Sequence, residues 1–284
     1  MQDSGMPVRS NHEFRQVLPS ILARMEEKVC ELWPTAYLGG AGTVASTPNE
    51  VALIILNTEI ASYDYFRRLY DHASFRICAD GGANRLHDLL VKQYPTLQYT
   101  DAIRKAPPSL VHGDLDSLSD VVRRRYESVG VEVSCDPDQY STDFGKAIKQ
   151  VHARLPGVRD ILVLGTIGGR LDQGIGLLGE LYREQKSRPS VRFWLFSEAS
   201  VSTILTSGTT SIHTPLREGL IQRNIGILPL YGPAVISTEG LEWDVKDWPT
   251  EMGGQVSTSN HIVEGKIVVK TDRDVLFTVE RGGI

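Results

Sequence analysis

The feature that most restricts this fold is a change of periodicity near residue 200. Before it, short apolar runs of strand length (51–56, 75–79, 110–112, 131–135, 161–164 and 191–196) alternate with stretches whose apolar residues recur every three or four positions. Ala83, Leu86, Leu89 and Leu90 mark one such face; Phe144, Ala147, Ile148, Val151 and Leu155 a second; Leu171, Ile175, Leu178 and Tyr182 a third. Strands alternating with helices predict βα units and a mainly parallel sheet, because parallel neighbours need a crossover between them. Beyond residue 200 the helical period disappears. Runs at 202–205, 211–213, 225–230, 234–238, 261–264, 266–270 and 275–280 follow one another through turn signals such as Ser207-Gly208, Gly232-Pro233 and Glu239-Gly240. That is the profile of a small all-β sandwich or barrel. The expected architecture is α/β: a Rossmann-like parallel-sheet domain over 51–203, then an all-β sandwich domain over 204–284. Residues 1–50 read as an N-terminal extension. It holds one helix (Phe14, Val17, Leu18, Ile21, Leu22, Met25), broken or started at Pro19, and then a glycine-rich linker.

Several classes are disfavoured at once. Thirty basic against thirty-five acidic residues give a net charge of −5, unlike a nucleic-acid binder with its basic stripe. No apolar run approaches the ~18–20 residues that cross a bilayer. Cys30, Cys78 and Cys135 are odd in number and widely spaced, which suits neither a disulfide framework nor a zinc knuckle. With no apolar leader in residues 1–9, a reducing, cytoplasmic setting is expected.

In parallel sheets ligands sit at the carboxyl ends of the strands, and there the sequence is acidic. Asp80-Gly81-Gly82-Ala83-Asn84 follows the second run and Gly113-Asp114-Leu115-Asp116-Ser117 the third. The fourth is followed by Asp136-Pro137-Asp138-Gln139-Tyr140-Ser141-Thr142-Asp143, and the fifth by Gly168-Gly169-Arg170-Leu171-Asp172-Gln173. Carboxylates from consecutive βα loops arrive at one edge, where they repel and call for a cation. Oxygen donors with no His or Cys cluster point to Mg²⁺, which completes its shell with water and substrate phosphates. A single Asp in a turn needs no function, but Asp114 and Asp116 bracket one residue directly after a buried strand, where no cap needs both. Lys146 and Arg170 are cations close enough in sequence to hold a phosphate.

Other motifs carry less. Gly174-Ile175-Gly176-Leu177-Leu178-Gly179 matches G-x-G-x-x-G but lies inside a helical stretch, so it reads as a close-packing glycine face, not a dinucleotide fingerprint. His112 reads as a packed strand-end histidine. In the β-region, Trp243 between Glu242 and Asp244, followed by Ser257-Thr258-Ser259-Asn260, offers an indole face for a flat cation and small polar groups for its edges. A core Trp and an ordinary polar turn would look the same.

Taken in order, the Asp80, Asp114/Asp116, Thr142-Asp143-Phe144 with Lys146, Arg170-Leu171-Asp172-Gln173 and Ser257–Asn260 motifs resemble those of the thiamine pyrophosphokinase family, in a form similar to its fungal members. The resemblance implies ATP + thiamine → thiamine diphosphate + AMP, with Mg²⁺, in a homodimer that binds thiamine where the subunits meet. It implies metal-binding roles for Asp114, Asp116 and Asp143, with Asp172 added among the catalytic acids. Asp80, Asn84, Gln139, Thr142, Lys146 and Arg170 fall around the nucleotide, and Trp243, Ser257, Ser259 and Asn260 around thiamine. The residues alone leave open a Mg²⁺-dependent phosphohydrolase of a nucleotide or sugar phosphate, and a non-catalytic sensor.

Overall fold

A computed structural model describes residues 29–40 and 50–283. The strands are Cys30–Leu32 (β1), Val51–Ile55 (β2), Phe75–Ala79 (β3), Leu110–Gly113 (β4), Glu132–Cys135 (β5), Asp160–Leu164 (β6), Arg192–Phe196 (β7) and Ser200–Leu205 (β8). Gly208–His213 (β9), Ile221–Leu228 (β10), Ala234–Glu239 (β11), Trp248–Thr250 (β12), Ser257–His261 (β13), Lys266–Thr271 (β14) and Val275–Arg281 (β15) complete them. The helices are Tyr63–His72 (α1), Gly82–Gln93 (α2), Tyr99–Ile103 (α3), Asp120–Ser128 (α4), Asp143–Arg154 (α5) and Leu171–Ser187 (α6).

Five consecutive apolar residues make β2, and all five are buried. A strand covered on both faces has no polar face to alternate with. Around it β7, β6, β2, β3, β4 and β5 run parallel in that order. One face packs on α5 through Phe144, Ala147, Ile148 and Val151, so the predicted helical stripe is a core face. The other carries Tyr65, Phe66 and Leu69 of α1 and Leu86, Leu89 and Leu90 of α2. The first turn of α2 presses hard on the end of β2: a Cβ on Gly82 would stand 2.2 Å from the Ile55 carbonyl oxygen.

The C-terminal strands form the expected antiparallel β-structure, but the sheet does not stop between the halves. β8 pairs antiparallel with β7, and β15, β10 and β13 extend the same sheet to ten strands. A tight turn allows this: Ser197 caps it by accepting the Ala199 and Ser200 N–H groups at 3.2 and 2.9 Å. A second sheet, β1-β9-β14-β11-β12, faces the first across a core containing Ile212, Ile236, Ile267, Ile225 and Phe277.

Residues 41–49, most of the expected glycine-rich linker, lie outside the described residues, but the stretch before it is packed onto the β-region. β1 pairs in parallel with β9, and Leu32, Tyr37 and Leu38 are buried. Its carboxylate Glu31 accepts from His213 at 2.7 Å, and Trp33 stacks on the same imidazole. The expected helix over 14–25 lies outside the described residues.

Because one sheet runs through both halves, they should unfold together. Phe277 on β15 is 1% exposed in the core between the two sheets. Phe277→Ala should cost about 3–5 kcal/mol, with urea transitions by far-UV circular dichroism and tryptophan fluorescence still superimposed; two separated transitions would show independent halves.

Candidate active site

Parallel strands all present their carboxyl ends to one edge, so the loops after β3 and β4 and the start of α5 meet there. They border a cleft of about 580 Å³. Asp80, Asp114 and Asp116 each bring a carboxylate oxygen within 4.8 Å of the others. Gly113, at the end of β4, lets the acids close in: a Cβ there would lie 2.7 Å from the Asp80 Cβ and 3.0 Å from Asp143 Oδ1. Two of the acid loops are held in left-handed backbone, Asp80 at φ 42° and Leu115, between the paired acids, at φ 66°. Such a conformation costs a non-glycine residue about 1–3 kcal/mol, and strain of this kind concentrates where it holds a functional geometry.

Hydrogen bonds fix the loops further. Asp80 Oδ2 accepts the Ser117 N–H at 3.1 Å, and Asp114 Oδ1 accepts that of Asp116 at 3.3 Å. Asn84 commits its amide to the loop, donating to the Ser117 carbonyl at 2.7 Å and accepting from the Ser119 N–H at 3.1 Å. Its amide clasps the loop that carries Asp116. Gln139 Nε2 donates to Asp114 Oδ2 at 3.4 Å.

Lys146 is the cation of the cluster. Fully buried, it donates to Asp114 Oδ2 at 3.1 Å and stands 3.8 Å from Asp143 Oδ1. Desolvation opposes its charge, but Asp114 and Asp143 outweigh that and raise its pKa. Burial likewise pushes against the Asp114 carboxylate, yet Lys146 and the Asp116 N–H hold it below the usual range. Asp143 goes the other way: burial, then the charges of Asp80 and Asp114, push it up to about 6. Burial also raises Asp80.

Among the described residues, the buried Oδ1 atoms of Asp80 and Asp143 have no hydrogen-bond donor. An orphaned buried acceptor costs about 1–3 kcal/mol. Two of them, one in the Asp80–Asp114–Asp116 cluster and one in Asp143 beside it, fit a hard divalent cation bound by oxygen alone. Asp80 therefore joins the acids that would hold it, beside Asp114, Asp116 and Asp143.

Two family models match, in order: thiamin pyrophosphokinase, catalytic domain, over residues 66–193, and thiamin pyrophosphokinase, vitamin B1 binding domain, over residues 209–276. The chain belongs to the thiamine pyrophosphokinase family. It is 34% identical over 241 residues to thiamine pyrophosphokinase 1 of Arabidopsis thaliana, covering 82% of this chain and 87% of the relative. Against the thiamine pyrophosphokinase of Saccharomyces cerevisiae identity is 29% over 283 residues, covering 82% and 87%. The solved thiamin pyrophosphokinase from Candida albicans superimposes with a TM-score of 0.76 at 27% identity, covering 89% of this chain and 93% of that one.

Within the stretch matched to the family's catalytic domain, Arg170 and Asp172 form a two-bond pair with each other at 3.2 and 2.6 Å, both largely exposed. Neither lines the cleft, whereas the neighbouring Gln173 does. The glycine-face reading needs correcting as well: a methyl group on Gly176 or Gly179 would meet nothing within 4 Å, and one on Gly174 only the Ile167 Cα at 3.8 Å. These glycines border the open cleft. His112 is buried and hydrogen-bonded to Ser134, as a packed histidine. Glu180 and Arg183 of α6 also line the cleft, and no local motif marks either one.

In the stretch matched to the vitamin B1 binding domain, Trp243 is 55% exposed, so it is not a core residue. Asn260 is buried behind it and grips its backbone, accepting from the Trp243 N–H at 3.2 Å and donating to its carbonyl at 2.9 Å. Ser257 and Ser259 lie on the same strand, Ser259 in left-handed backbone at φ 57°.

Asp143 gives a stability test. Its carboxyl sits near 3.8 when unfolded and about 6 when folded, so the stability it contributes is present below about pH 4 and is lost as pH rises through about 6. Discounted for its half-exposed side chain, the ionised form costs about 1 kcal/mol. Without divalent cations, Asp143→Asn should melt higher than wild type near pH 8 and show no advantage near pH 4; a pH-independent difference would refute the assignment.

Proposed function

We propose that this protein transfers the pyrophosphoryl group of ATP to the hydroxyl of thiamine, giving thiamine diphosphate and AMP. The observation that carries the reading is the carboxylate cluster of Asp80, Asp114 and Asp116, with Asp143 packed beside it at Gly113, next to a cleft that Asp114 and Asp143 line, in a chain matching both family domains in order. Phosphoryl transfer asks for in-line positioning and charge neutralisation more than covalent catalysis. Mg²⁺, held by those acids, would supply the neutralisation that lets the ATP oxygens enter an acidic cleft.

The chain's own residues do the rest. Lys146 keeps Asp114 ionised and fixed. Asp143, standing in the cleft, orients the thiamine hydroxyl and takes its proton as oxygen attacks the β-phosphorus and AMP departs. Asp172 is less suited, being exposed and engaged by Arg170. Arg170, exposed and three residues before the first cleft-lining residue of α6, Gln173, could exchange that partner for a phosphate, which it would hold through two bonds. Trp243 offers its face to the thiazolium, with Ser257 and Ser259 beside it. Three free thiols suit a cytoplasmic setting, and no described helix is long and apolar enough to cross a membrane.

The sheet itself argues for a homodimer. β13, carrying the serines, is one edge strand, and β4, followed directly by Asp114, lies eight strand spacings away. Along the sheet that is roughly 38 Å, far beyond the span of thiamine. A working site thus takes its acids from one subunit and its Trp243 region from the partner.

Asp114→Asn or Asp116→Asn should lower AMP formation by several orders of magnitude, about 10³-fold or more, with the fold intact; near-normal turnover would reject the metal role. Phosphate release from ATP independent of thiamine would favour hydrolysis, and thiamine binding with no AMP formed would favour a sensor. Trp243→Ala should raise the KM for thiamine more than that for ATP. At low thiamine, mixing refolded Asp114→Asn and Trp243→Ala chains should restore about a quarter of wild-type activity, since half the dimers are mixed and each has one intact site. No recovery on mixing would exclude a shared site.

A further inference from the structure

Glu180 is a nearly buried carboxylate, 6% exposed, on the wall of the acidic cleft and outside the acid loops. Both of its oxygens are engaged. Oε2 accepts the hydroxyl proton of Thr142 in a close contact, and Oε1 accepts from Arg183 Nη2 at 2.8 Å. Thr142 is the N-cap of α5, and its hydroxyl accepts the Gly145 N–H at 3.0 Å. A hydroxyl has one proton and two lone pairs. By taking the proton, Glu180 dictates how the lone pairs point, and so orients the cap.

The facing helix is shaped to admit this carboxylate. A Cβ on Gly145 would lie 2.6 Å from Glu180 Oε1. Glycine inside a helix costs roughly 0.5–1 kcal/mol relative to alanine, so the first turn of α5 gives up propensity where Glu180 needs room. That turn carries Asp143, and one turn on carries Lys146, which holds Asp114. The carboxylate also places negative charge at the positive end of the α5 dipole.

We propose that Glu180 is a positioning residue for pyrophosphoryl transfer: acting through the Thr142 hydroxyl, it locks the first turn of α5 and so sets where Asp143 and Lys146 stand, with Gly145 as the gap that admits it. The inference rests on the transfer reaction above, and wild-type AMP formation with thiamine is the control that tests that reaction separately.

The test is a double-mutant cycle on the full chain, read as kcat and KM with saturating Mg²⁺. A displacement of about 1 Å at reacting groups costs up to about 10²-fold, so Glu180→Ala and Thr142→Val should each lower kcat by about 10- to 100-fold while leaving the KM for thiamine within about threefold. If Glu180 acts through Thr142, the double variant is no worse than the poorer single one, since residues that work as a unit are not additive. Glu180→Gln, which keeps an acceptor for the hydroxyl, should recover most of kcat; general loosening of the fold would not discriminate in this way. Should Glu180→Ala fail to fold, the Glu180→Gln and Thr142→Val pair carries the same test. A kcat within threefold of wild type for Thr142→Val, no recovery in Glu180→Gln, or losses that multiply in the double variant would overturn the proposal.

Discussion

A fully buried ammonium sits among carboxylates that would otherwise repel one another, and the architecture of the cleft follows from that arrangement. Lys146 is the one completely covered cation in the described cluster, 3.1 Å from Asp114 and 3.8 Å from Asp143. One positive charge does not balance Asp80, Asp114, Asp116 and Asp143, and the remaining charge is spread unevenly. Asp114, engaged by Lys146, stays below the ordinary carboxylate range, whereas Asp143, farther from the ammonium, is pushed up to about 6 by burial and then by the charges of Asp80 and Asp114. The cluster is therefore short of positive charge, with two orphaned oxygens marking where the shortage is felt. Such a site is costly to the fold, and the cost is tolerable only because the strands beneath it are dry. Ile54, Ile77 and Leu110 are fully buried below the acid loops, and Phe144 and Ile148 cover them from the helix that also carries Asp143.

Much of this was legible in the sequence for a simple reason. Parallel strands buried on both faces are written as unbroken apolar runs, and their crossovers as helical stripes, so the position of each acid loop at one sheet edge follows from the period alone. What was not legible depends on partners distant in the chain. Cys30-Glu31-Leu32 has no strand pattern of its own; it becomes β1 by pairing with residues 210–212. Trp248-Pro249-Thr250 contains a proline and is tolerated only because β12 is an edge strand. The break in periodicity near 200 is real as a change from crossovers to hairpins, but pattern cannot say whether two adjacent strands belong to one sheet or two, and here β7 and β8 share one.

The site follows the same division. Asp114 and Asp116 announce themselves because two acids around one residue have no simpler explanation. Glu180 does not, since an isolated Glu within a helix is usually a solvated one; only the fold reveals that it is buried against Thr142. The glycines of α6 mislead in the opposite sense. Gly176 and Gly179, three residues apart, share a face as close-packing glycines do, yet both, like Gly174, border the cleft rather than another element. Asn84 lies beside Asp80 in a motif that suggests ligand contact, whereas both ends of its amide are used to clasp the loop that carries Asp116.

Helix α6 connects these observations. Its first half, Leu171 to Gly179, leaves Leu171 and Ile175 exposed and borders open space, while the second half contains its buried residues, Glu180, Leu181 and Gln185. The junction is tied to the C-terminal strands: the Tyr231 hydroxyl donates to the Leu178 carbonyl at 3.2 Å, Tyr182 stacks on Tyr231 with ring centres 4.1 Å apart, and Lys186 pairs with Asp274 at 3.1 Å. Glu180 thus reaches the α5 cap from a segment anchored by the β-half of the chain. In that first half the three glycines and Gln173 border the cleft, while Leu177 and Leu178 pack against the core. The carboxylate that meets Thr142 stands just past that boundary, in the half of α6 that is buried and tied to the β-strands.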